Sequence, residues 1–243
     1  MSQTMGNTET ASPDYDLHLP VVLNHPLIVI AVSALLLYVA LLLRQNHTTI
    51  SVVMSVGIIL LSTIYLAAHL IVKRFTDIKR RLIARDELIN ELAWRGDEKV
   101  LDVGCGNGIL TFAAAKRVAS GSVIGIDVWQ EFAGDSSREG FEKNAEIEGV
   151  ANKVSLENID VRKLPYADNT FDVITCGLTM HHILHGKDSG KSISEMVRVL
   201  KPGGQLAIYD VLPAVMSSAK LMLQNGLTVN KKNLNMVFGT KAG

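Results

Sequence analysis

Two long apolar runs dominate the hydrophobic pattern of the first third of the chain. Leu27–Leu43 holds 17 residues without a charge, and Ile50–Val72 holds 23. A helix that crosses a bilayer needs about 20 apolar residues, and the short polar stretch Arg44–Thr49 suits a tight connection. The pattern predicts a transmembrane α-helical hairpin over residues 21–72. Two buried helices of a soluble protein are the alternative, but runs of this length are hard to fit inside so small a domain.

Polar residues on either side of the hairpin predict its orientation. Residues 1–20 are polar, contain no Lys or Arg, and are expected to form a disordered tail. Six cations follow the second run, and an excess of Lys and Arg marks the cytoplasmic side of a span. They are Lys73, Arg74, Lys79, Arg80, Arg81 and Arg85. We therefore expect an integral membrane protein whose N-terminus and following domain are both cytoplasmic.

An amphipathic linker helix is predicted over residues 73–95. Its apolar residues recur by steps of three, four and seven positions, which places them on one helical face. They are Phe75, Ile78, Leu82, Ile89 and Leu92, and Gly96 follows as a stop signal.

From residue 96 onward, strand patterns alternate with helix patterns. This alternation predicts a parallel sheet covered by helices on both faces, in one domain over residues 96–243. Residues 227–243 are expected to close the sheet with an antiparallel pair. The predicted strands are Lys99–Val103, Ser122–Ile126, Val154–Leu156, Phe171–Cys176 and Gln205–Tyr209, and the predicted helices are Ile109–Ala119, Glu139–Gly149, Ser192–Leu200 and Met216–Asn225.

Composition gives no support for nucleic-acid binding or for a cysteine-based site. Lys and Arg number 24 and so do Asp and Glu, so the net charge gives no electrostatic argument for a nucleic-acid partner. The two cysteines, Cys105 and Cys176, form no CxxC or Cys/His cluster. We therefore expect no metal site and no disulfide framework, in a reducing compartment.

The first strand runs into a glycine-rich turn at the start of a predicted helix. Asp102 precedes Gly104, Gly106 and Gly108. A strand, a glycine turn and a helix bring backbone N–H groups up to a ligand. The Gly-x-Gly-x-Gly spacing differs from the Gly-x-Gly-x-x-Gly of dinucleotide-binding proteins, which disfavours an oxidoreductase. A carboxylate at Asp102 suits a ligand with an ammonium group, although a purely structural turn is the alternative at this point.

A second carboxylate, Asp127, ends the second predicted strand. It follows Gly108 by 19 positions. A carboxylate at this place can accept hydrogen bonds from both hydroxyls of a ribose. A helix cap or a turn aspartate is the alternative.

Two more stretches complete a pattern that resembles one enzyme family. Asp160–Ile174 and Val199–Leu206 follow the glycine turn and Asp127 in order, and the four motifs cover about residues 99–210. Together they resemble the class I S-adenosylmethionine-dependent methyltransferases, and within them the ubiquinone/menaquinone-type enzymes that act on small molecules. The two N-terminal spans and the short C-terminus depart from that group, which leaves the substrate open.

The resemblance implies a Rossmann-like class I methyltransferase sheet with helices on both faces, preceded here by the transmembrane hairpin. It implies S-adenosyl-L-methionine as cofactor and methyl transfer from a sulfonium to a nucleophile. It places Asp160 at the adenine amino group and Val161 against the adenine ring. Trp129 is expected either to pack on the adenine or to face the sulfonium charge, and simple packing in the core is the alternative. The remaining cofactor contacts are expected at Asp102, Gly104, Cys105, Gly106, Asn107, Gly108 and Asp127.

Two adjacent histidines, His181 and His182, follow the fourth strand. Ligands of open α/β sheets bind at the carboxyl ends of the strands, and a histidine there can remove a proton near neutral pH. We expect at least one of the pair to line the substrate pocket. A loop cap or structural packing is the alternative for either one alone.

These features favour a membrane-anchored methyltransferase that acts on a small or lipophilic acceptor at the cytoplasmic face of the membrane. Anchoring raises the effective concentration of a membrane-dissolved substrate. Two alternatives remain: a methyltransferase of a protein or a soluble metabolite, and a membrane-tethered, cofactor-binding scaffold without turnover.

Overall fold

The computed structural model describes residues 12–15, 30, 32–38, 48–128, 137–183, 189–231 and 233–243. The chain divides into two compact units. One unit contains the residues up to Tyr15 together with Leu82–Gly243, and the other contains Asp16–Arg81. The N-terminal residues 12–15 therefore belong to the same unit as the C-terminal domain.

Helix α1, Thr48–Thr76, dominates the Asp16–Arg81 unit. Its segment Val52–Ile71 has a mean hydropathy of 2.0, and only 6% of it is buried. Among the described residues, α1 is the one helix long and apolar enough to cross a membrane. The first predicted span is described only at residues 30 and 32–38, which are helical. The membrane crossing of each helix of the predicted hairpin therefore stays a prediction.

A single non-helical residue, Asp77, separates α1 from helix α2, Ile78–Glu91. The Asp77 carboxylate accepts hydrogen bonds from the backbone N–H of Lys79, at 2.9 Å, and of Arg80, at 3.3 Å. Such a cap satisfies backbone donors that have no partner in the first turn of a helix. The apolar helix thus continues past residue 72, and the amphipathic helix is shorter than the predicted 73–95.

Seven strands form one sheet in the order β3-β2-β1-β4-β5-β7-β6. β1 to β5 pair in parallel, whereas β7 is antiparallel to both β5 and β6. The mostly parallel sheet and the closing antiparallel pair confirm the fold predicted for this part of the chain. The strands are β1 Lys99–Val103, β2 Ser122–Asp127, β3 Val154–Asn158, β4 Phe171–Gly177, β5 Leu200–Tyr209, β6 Leu227–Lys231 and β7 Met236–Lys241.

Both faces of the central strands are covered. Neighbouring residues of a strand point to opposite faces, and Val100 and Leu101 of β1 are both fully buried. The described helices of this domain that follow β1 are α3 Ile109–Ala115, α4 Arg138–Ile147, α5 Met180–Ile183, α6 Ser189–Val199 and α7 Leu212–Gln224.

Several boundaries differ from the sequence-based expectation, among them the start of the fifth strand and the start of the last helix. Lys201–Gly204, which precedes the predicted fifth strand Gln205–Tyr209, lies inside β5. Phe171 pairs with Leu200, but Val173 pairs with Gln205, so β5 carries three more residues than β4 over this interval. These residues form an irregularity in the ladder, where Gly203 adopts a positive φ of 75°. The last helix begins four residues before the expected Met216, with a proline in its first turn.

Helix α7 offers a matched pair of substitutions that tests the packing of the closing strands. Met222 is fully buried where α7 packs on β6 and β7, whereas its neighbour Leu223 is 59% exposed. We expect Met222→Ala to lower the free energy of unfolding by about 2–5 kcal/mol, and Leu223→Ala to change it by about 0.5 kcal/mol or less. Urea denaturation of the two variants measures the difference. Equal losses would contradict this placement of α7.

Candidate active site

The glycine-rich turn after β1 is fastened to the end of β2. The backbone N–H groups of Gly104 and Cys105 both donate to the Ile126 carbonyl, at 2.8 and 3.1 Å. The N–H of Gly106 donates to Asp127 Oδ2 at 2.9 Å. Three hydrogen bonds from successive residues of the turn to the neighbouring strand β2 therefore set the path of the turn, and Asp127 lies directly beside it.

The first and third glycines of the turn are required by protein packing. Gly104 and Gly108 have positive φ values of 68° and 90°, which L side chains rarely adopt. A Cβ at Gly104 would overlap the Thr179 side chain, and a Cβ at Gly108 would overlap the Phe112 ring. The turn thus lies close to the segment after β4 on one side and to α3 on the other.

Asp102 lies beneath the turn with its carboxylate almost fully buried. It is 1% exposed, and its two oxygens accept hydrogen bonds from Thr111 Oγ1 at 2.6 Å and from Thr175 Oγ1 at 2.8 Å. Burial raises the pKa of Asp102 to about 6, although the two threonine hydroxyls oppose the shift. In this structure Asp102 joins α3 and β4 to β1, and its direct contact with a ligand ammonium stays a prediction.

Cys105 and Asn107 occupy the two positions between the glycines. Cys105 is 4% exposed, and burial raises the pKa of its thiol well above the usual value, so it is a packing residue in a thiol form. The Asn107 carboxamide accepts a hydrogen bond from the N–H of Ser137, at the start of α4, at 3.2 Å. Its Nδ2 donates to the Asp14 carbonyl at 3.4 Å.

Asp160 lies two residues after β3, at the same edge of the sheet as Asp127. Its carboxylate is paired with the Arg162 guanidinium, with Nη2 and Oδ2 2.5 Å apart, and the hydrogen bonds from Arg162 hold the pKa of Asp160 below its usual range. The expected adenine contact would therefore compete with this pair. Val161 is 5% exposed and belongs to the hydrophobic core. Trp129 lies outside the described residues, so its predicted role stays untested.

His181 forms a close pair with an aspartate that the sequence analysis did not single out. On α5, its Nδ1 is 2.7 Å from Asp210 Oδ1, and its backbone N–H donates to Asp210 Oδ2 at 3.1 Å. Asp210 is fully buried, whereas the His181 side chain is 31% exposed. An ionised carboxylate can only accept, so beside it the neutral form of the ring carries its proton on Nδ1 and has its lone pair on Nε2.

The His182 ring lies against that of His181, with centroids 3.9 Å apart. His182 is exposed, and its backbone N–H donates to the Thr179 carbonyl. Thr179 Oγ1 in turn lies 3.3 Å from the Gly104 carbonyl. The structure thus brings the glycine turn, Asp127 and the histidine segment to one edge of the sheet.

Sequence reasoning missed the residues that complete these arrangements: Asp210, Thr111 and Thr175. One signal was present, because Asp210 directly follows β5 just as Asp127 ends β2. An aspartate at the carboxyl end of a parallel strand is a candidate site residue in either position. The two threonines gave no such signal, since only tertiary contact places them on Asp102.

Comparisons with known proteins agree with this geometry. Residues 101–208 match the family model described as "Methyltransferase domain". The chain is 36% identical over 113 residues to the probable methyltransferase ltbC of Aspergillus luteorubrus, covering 46% of this chain and 40% of that protein. It is 36% identical over 127 residues to the demethylmenaquinone methyltransferase of Staphylococcus aureus, covering 52% and 48%. The chain thus spans about half the length of these relatives or less.

A solved structure extends the likeness to the fold. The S-adenosylmethionine-dependent methyltransferase from Aquifex aeolicus superposes with a TM-score of 0.52 at 24% identity, over 64% of this chain and 87% of that one. Residues 101–208 thus match a methyltransferase-domain model, and the fold around them is shared with that S-adenosylmethionine-dependent enzyme.

The residues present fit that cofactor. The Asp127 carboxylate accepts backbone hydrogen bonds from Gly106 and from Val128, and a carboxylate has about four lone-pair positions in all. Asp127 is only partly buried, so it can also receive the hydroxyls of a ribose. The glycine turn and Asp127 would hold the cofactor at the carboxyl ends of β1 and β2.

Asp102→Asn tests the electrostatics beneath the turn. Because the folded state raises the pKa of Asp102 from about 4 to about 6, its contribution to stability is fully present below about pH 4 and is lost as the pH rises through about 6. We expect the Asn variant to gain stability relative to the parent by about 1–2 kcal/mol between pH 5 and pH 8. Urea denaturation without cofactor measures the free energy of unfolding of the variant minus that of the parent. A difference that stays constant or falls as the pH rises contradicts the assignment.

Proposed function

We propose that this protein is a membrane-anchored, S-adenosylmethionine-dependent methyltransferase that acts on a small or lipophilic acceptor at the cytoplasmic face of the membrane. The observation that carries the proposal is the meeting of two features at one sheet edge. The glycine turn with Asp127 lies at the ends of β1 and β2, and the His181–Asp210 pair lies at the ends of β4 and β5. β1 and β4 are neighbours in the sheet.

The protein's part in such a reaction is mainly alignment. When bound, S-adenosylmethionine supplies an electrophilic methyl group. The turn between Gly104 and Gly108 and the Asp127 carboxylate would fix its position relative to the acceptor. Holding two reactants in the productive geometry can lower a barrier by roughly 7–11 kcal/mol. The hydrogen bonds that fasten the turn to β2 therefore contribute to the alignment as well as to the fold.

His181 is the residue placed to take a proton from the acceptor. Asp210 holds the Nδ1 side of the ring through its carboxylate and also fixes the backbone at His181. This leaves Nε2 as the proton acceptor, because the two ring nitrogens of a neutral histidine have opposite roles. Asp210 acts as a positioning residue, since it touches His181 and lies buried behind it.

Membrane anchoring is supported by the surface of α1. Val53 and Leu61 are 66% and 69% exposed within a 20-residue apolar segment, a surface that water disfavours and lipid accepts. Exposed Lys73 and Lys79 follow this segment, in agreement with a cytoplasmic end. A groove of about 280 Å³ runs between residues 30–37 and 58–66 and has a mainly apolar lining.

Chain connectivity supports an even number of crossings. Residues 12–15 and Leu82 onward belong to one compact unit, so residues 16–81 leave that unit and return to it. If α1 crosses the bilayer once, the chain between residues 16 and 47 has to cross it as well. Such a return supports the proposed hairpin, with the N-terminus on the side of the methyltransferase domain.

A lipophilic acceptor is supported by two independent points. One relative is named a demethylmenaquinone methyltransferase, so its acceptor is a quinone. An anchored enzyme also meets a membrane-dissolved substrate at a raised effective concentration. A protein or soluble-metabolite acceptor, and a scaffold without turnover, are the outcomes against which the proposal is tested.

The test is methyl transfer from radiolabelled S-adenosylmethionine to a total membrane extract, which is then separated into lipid, protein and aqueous fractions. We expect the label in the lipid fraction. Label only in the protein or aqueous fraction contradicts the lipophilic acceptor while keeping the methyltransferase. No label, with cofactor binding confirmed by calorimetry, favours the scaffold.

Two substitutions separate an effect on cofactor binding from an effect on proton removal. We expect Asp127→Ala to weaken cofactor binding at least tenfold, because it removes the carboxylate beside the turn. We expect His181→Ala to bind cofactor like the parent and to lose about 10²–10⁴-fold in kcat. A larger loss of kcat in His182→Ala than in His181→Ala would overturn the assignment of the base.

A further inference from the structure

The described N-terminal residues, 12–15, were expected in the disordered tail but lie packed on the methyltransferase domain. Tyr15 is 5% exposed, although the residues before it are polar and the segment forms neither helix nor strand. Tyr15 has an aromatic and a carboxylate partner that local composition does not reveal. The rest of the expected tail lies outside the described residues.

One buried carboxamide joins the backbone of this segment to the glycine turn. Asn144 of α4 is 1% exposed. Its Oδ1 accepts from the N–H of Asp14 at 2.9 Å, and its Nδ2 donates to the Asp14 carbonyl at 2.7 Å. The same Nδ2 lies 3.2 Å from the carbonyl of Asn107, between the second and third glycines. Asn144 thus bridges residue 14 and the turn.

Tyr15 forms the second attachment. Its hydroxyl donates to Glu148 Oε1 at 2.6 Å, and Glu148 also pairs with Lys116, just after α3. Its ring lies against Phe112, with centroids 6.5 Å apart. Phe112 is the ring that fills the space above Gly108. Residues 14 and 15 therefore contact the neighbours of the turn from both α3 and α4.

We propose that residues 12–15 form an N-terminal clasp that positions the cofactor turn, so that cofactor affinity depends on a segment preceding the apolar hairpin. The clasp acts through Asn144 on the Asn107 backbone and through Tyr15 on Phe112. These contacts add to the hydrogen bonds that join the turn to β2, to Thr179 and to Ser137. The proposal goes beyond the proposed function, since it depends on neither the acceptor nor the membrane.

Reciprocity gives the clasp a second measurable property. If the docked clasp favours the cofactor-binding form of the turn, then bound cofactor stabilises the docked clasp by the same factor. The N–H of Asp14 donates to a buried acceptor, so its hydrogen exchange reports how often the clasp opens. Cofactor is therefore expected to slow exchange at residues 14 and 15.

The experiment uses the full chain, with S-adenosylhomocysteine as the probe. Calorimetry gives its Kd for the parent, Tyr15→Ala, Tyr15→Phe and the control Ser12→Ala, which changes an exposed clasp residue. We expect Tyr15→Ala to raise Kd at least tenfold and Tyr15→Phe, which keeps the ring on Phe112, to raise it less. Ser12→Ala is expected within twofold of the parent. Thermal unfolding without the probe shows whether each variant is folded.

A merely structural role gives a different result. If Tyr15→Ala lowers the unfolding temperature but leaves Kd unchanged, the clasp contributes stability alone and the proposal is overturned. If Tyr15→Ala does not fold, hydrogen exchange of the parent decides. Slower exchange at residues 14 and 15 with S-adenosylhomocysteine supports the clasp, and unchanged exchange overturns it.

Discussion

The rest of the site depends on the attachment of the glycine turn to the end of β2. Two N–H groups of the turn share the Ile126 carbonyl, and a third meets the Asp127 carboxylate. A glycine-rich segment has more conformational freedom to lose than any other, so it needs several such bonds to hold one path. Because the bonds come from a neighbouring strand, the turn has a fixed position only when the sheet is assembled.

Two aspartates at the carboxyl ends of parallel strands hold other parts of the site in position. Asp127 orders the turn at β2, and Asp210 orders His181 after β5. Both carboxylates accept hydrogen bonds from backbone N–H groups. Asp210 also holds the His181 ring, so its carboxylate fixes both a loop and a side chain. The carboxyl ends of parallel strands lie at one edge of a sheet, which is why residues more than 80 positions apart form one site.

The chain combines two kinds of hydrophobic surface. In the methyltransferase domain, strands such as β1 are buried on both faces. In α1 the large apolar side chains point outward, a pattern that suits lipid and not water. Residues 12–15 belong with the domain although the apolar segment separates them from it in sequence. In sequence, the apolar segment is therefore inserted between two parts of one compact unit.

The sequence by itself determined the local elements: the alternation of strands and helices, the glycine turn after Asp102 and the apolar length of α1. These follow from periodicity and composition, which act over a few neighbouring residues. Only the tertiary structure decided the partners, namely the threonines on Asp102, the Asp210 carboxylate on His181 and the docking of Tyr15. Such pairs depend on strand order and register, and a local pattern carries no information on which distant residue will meet a given face.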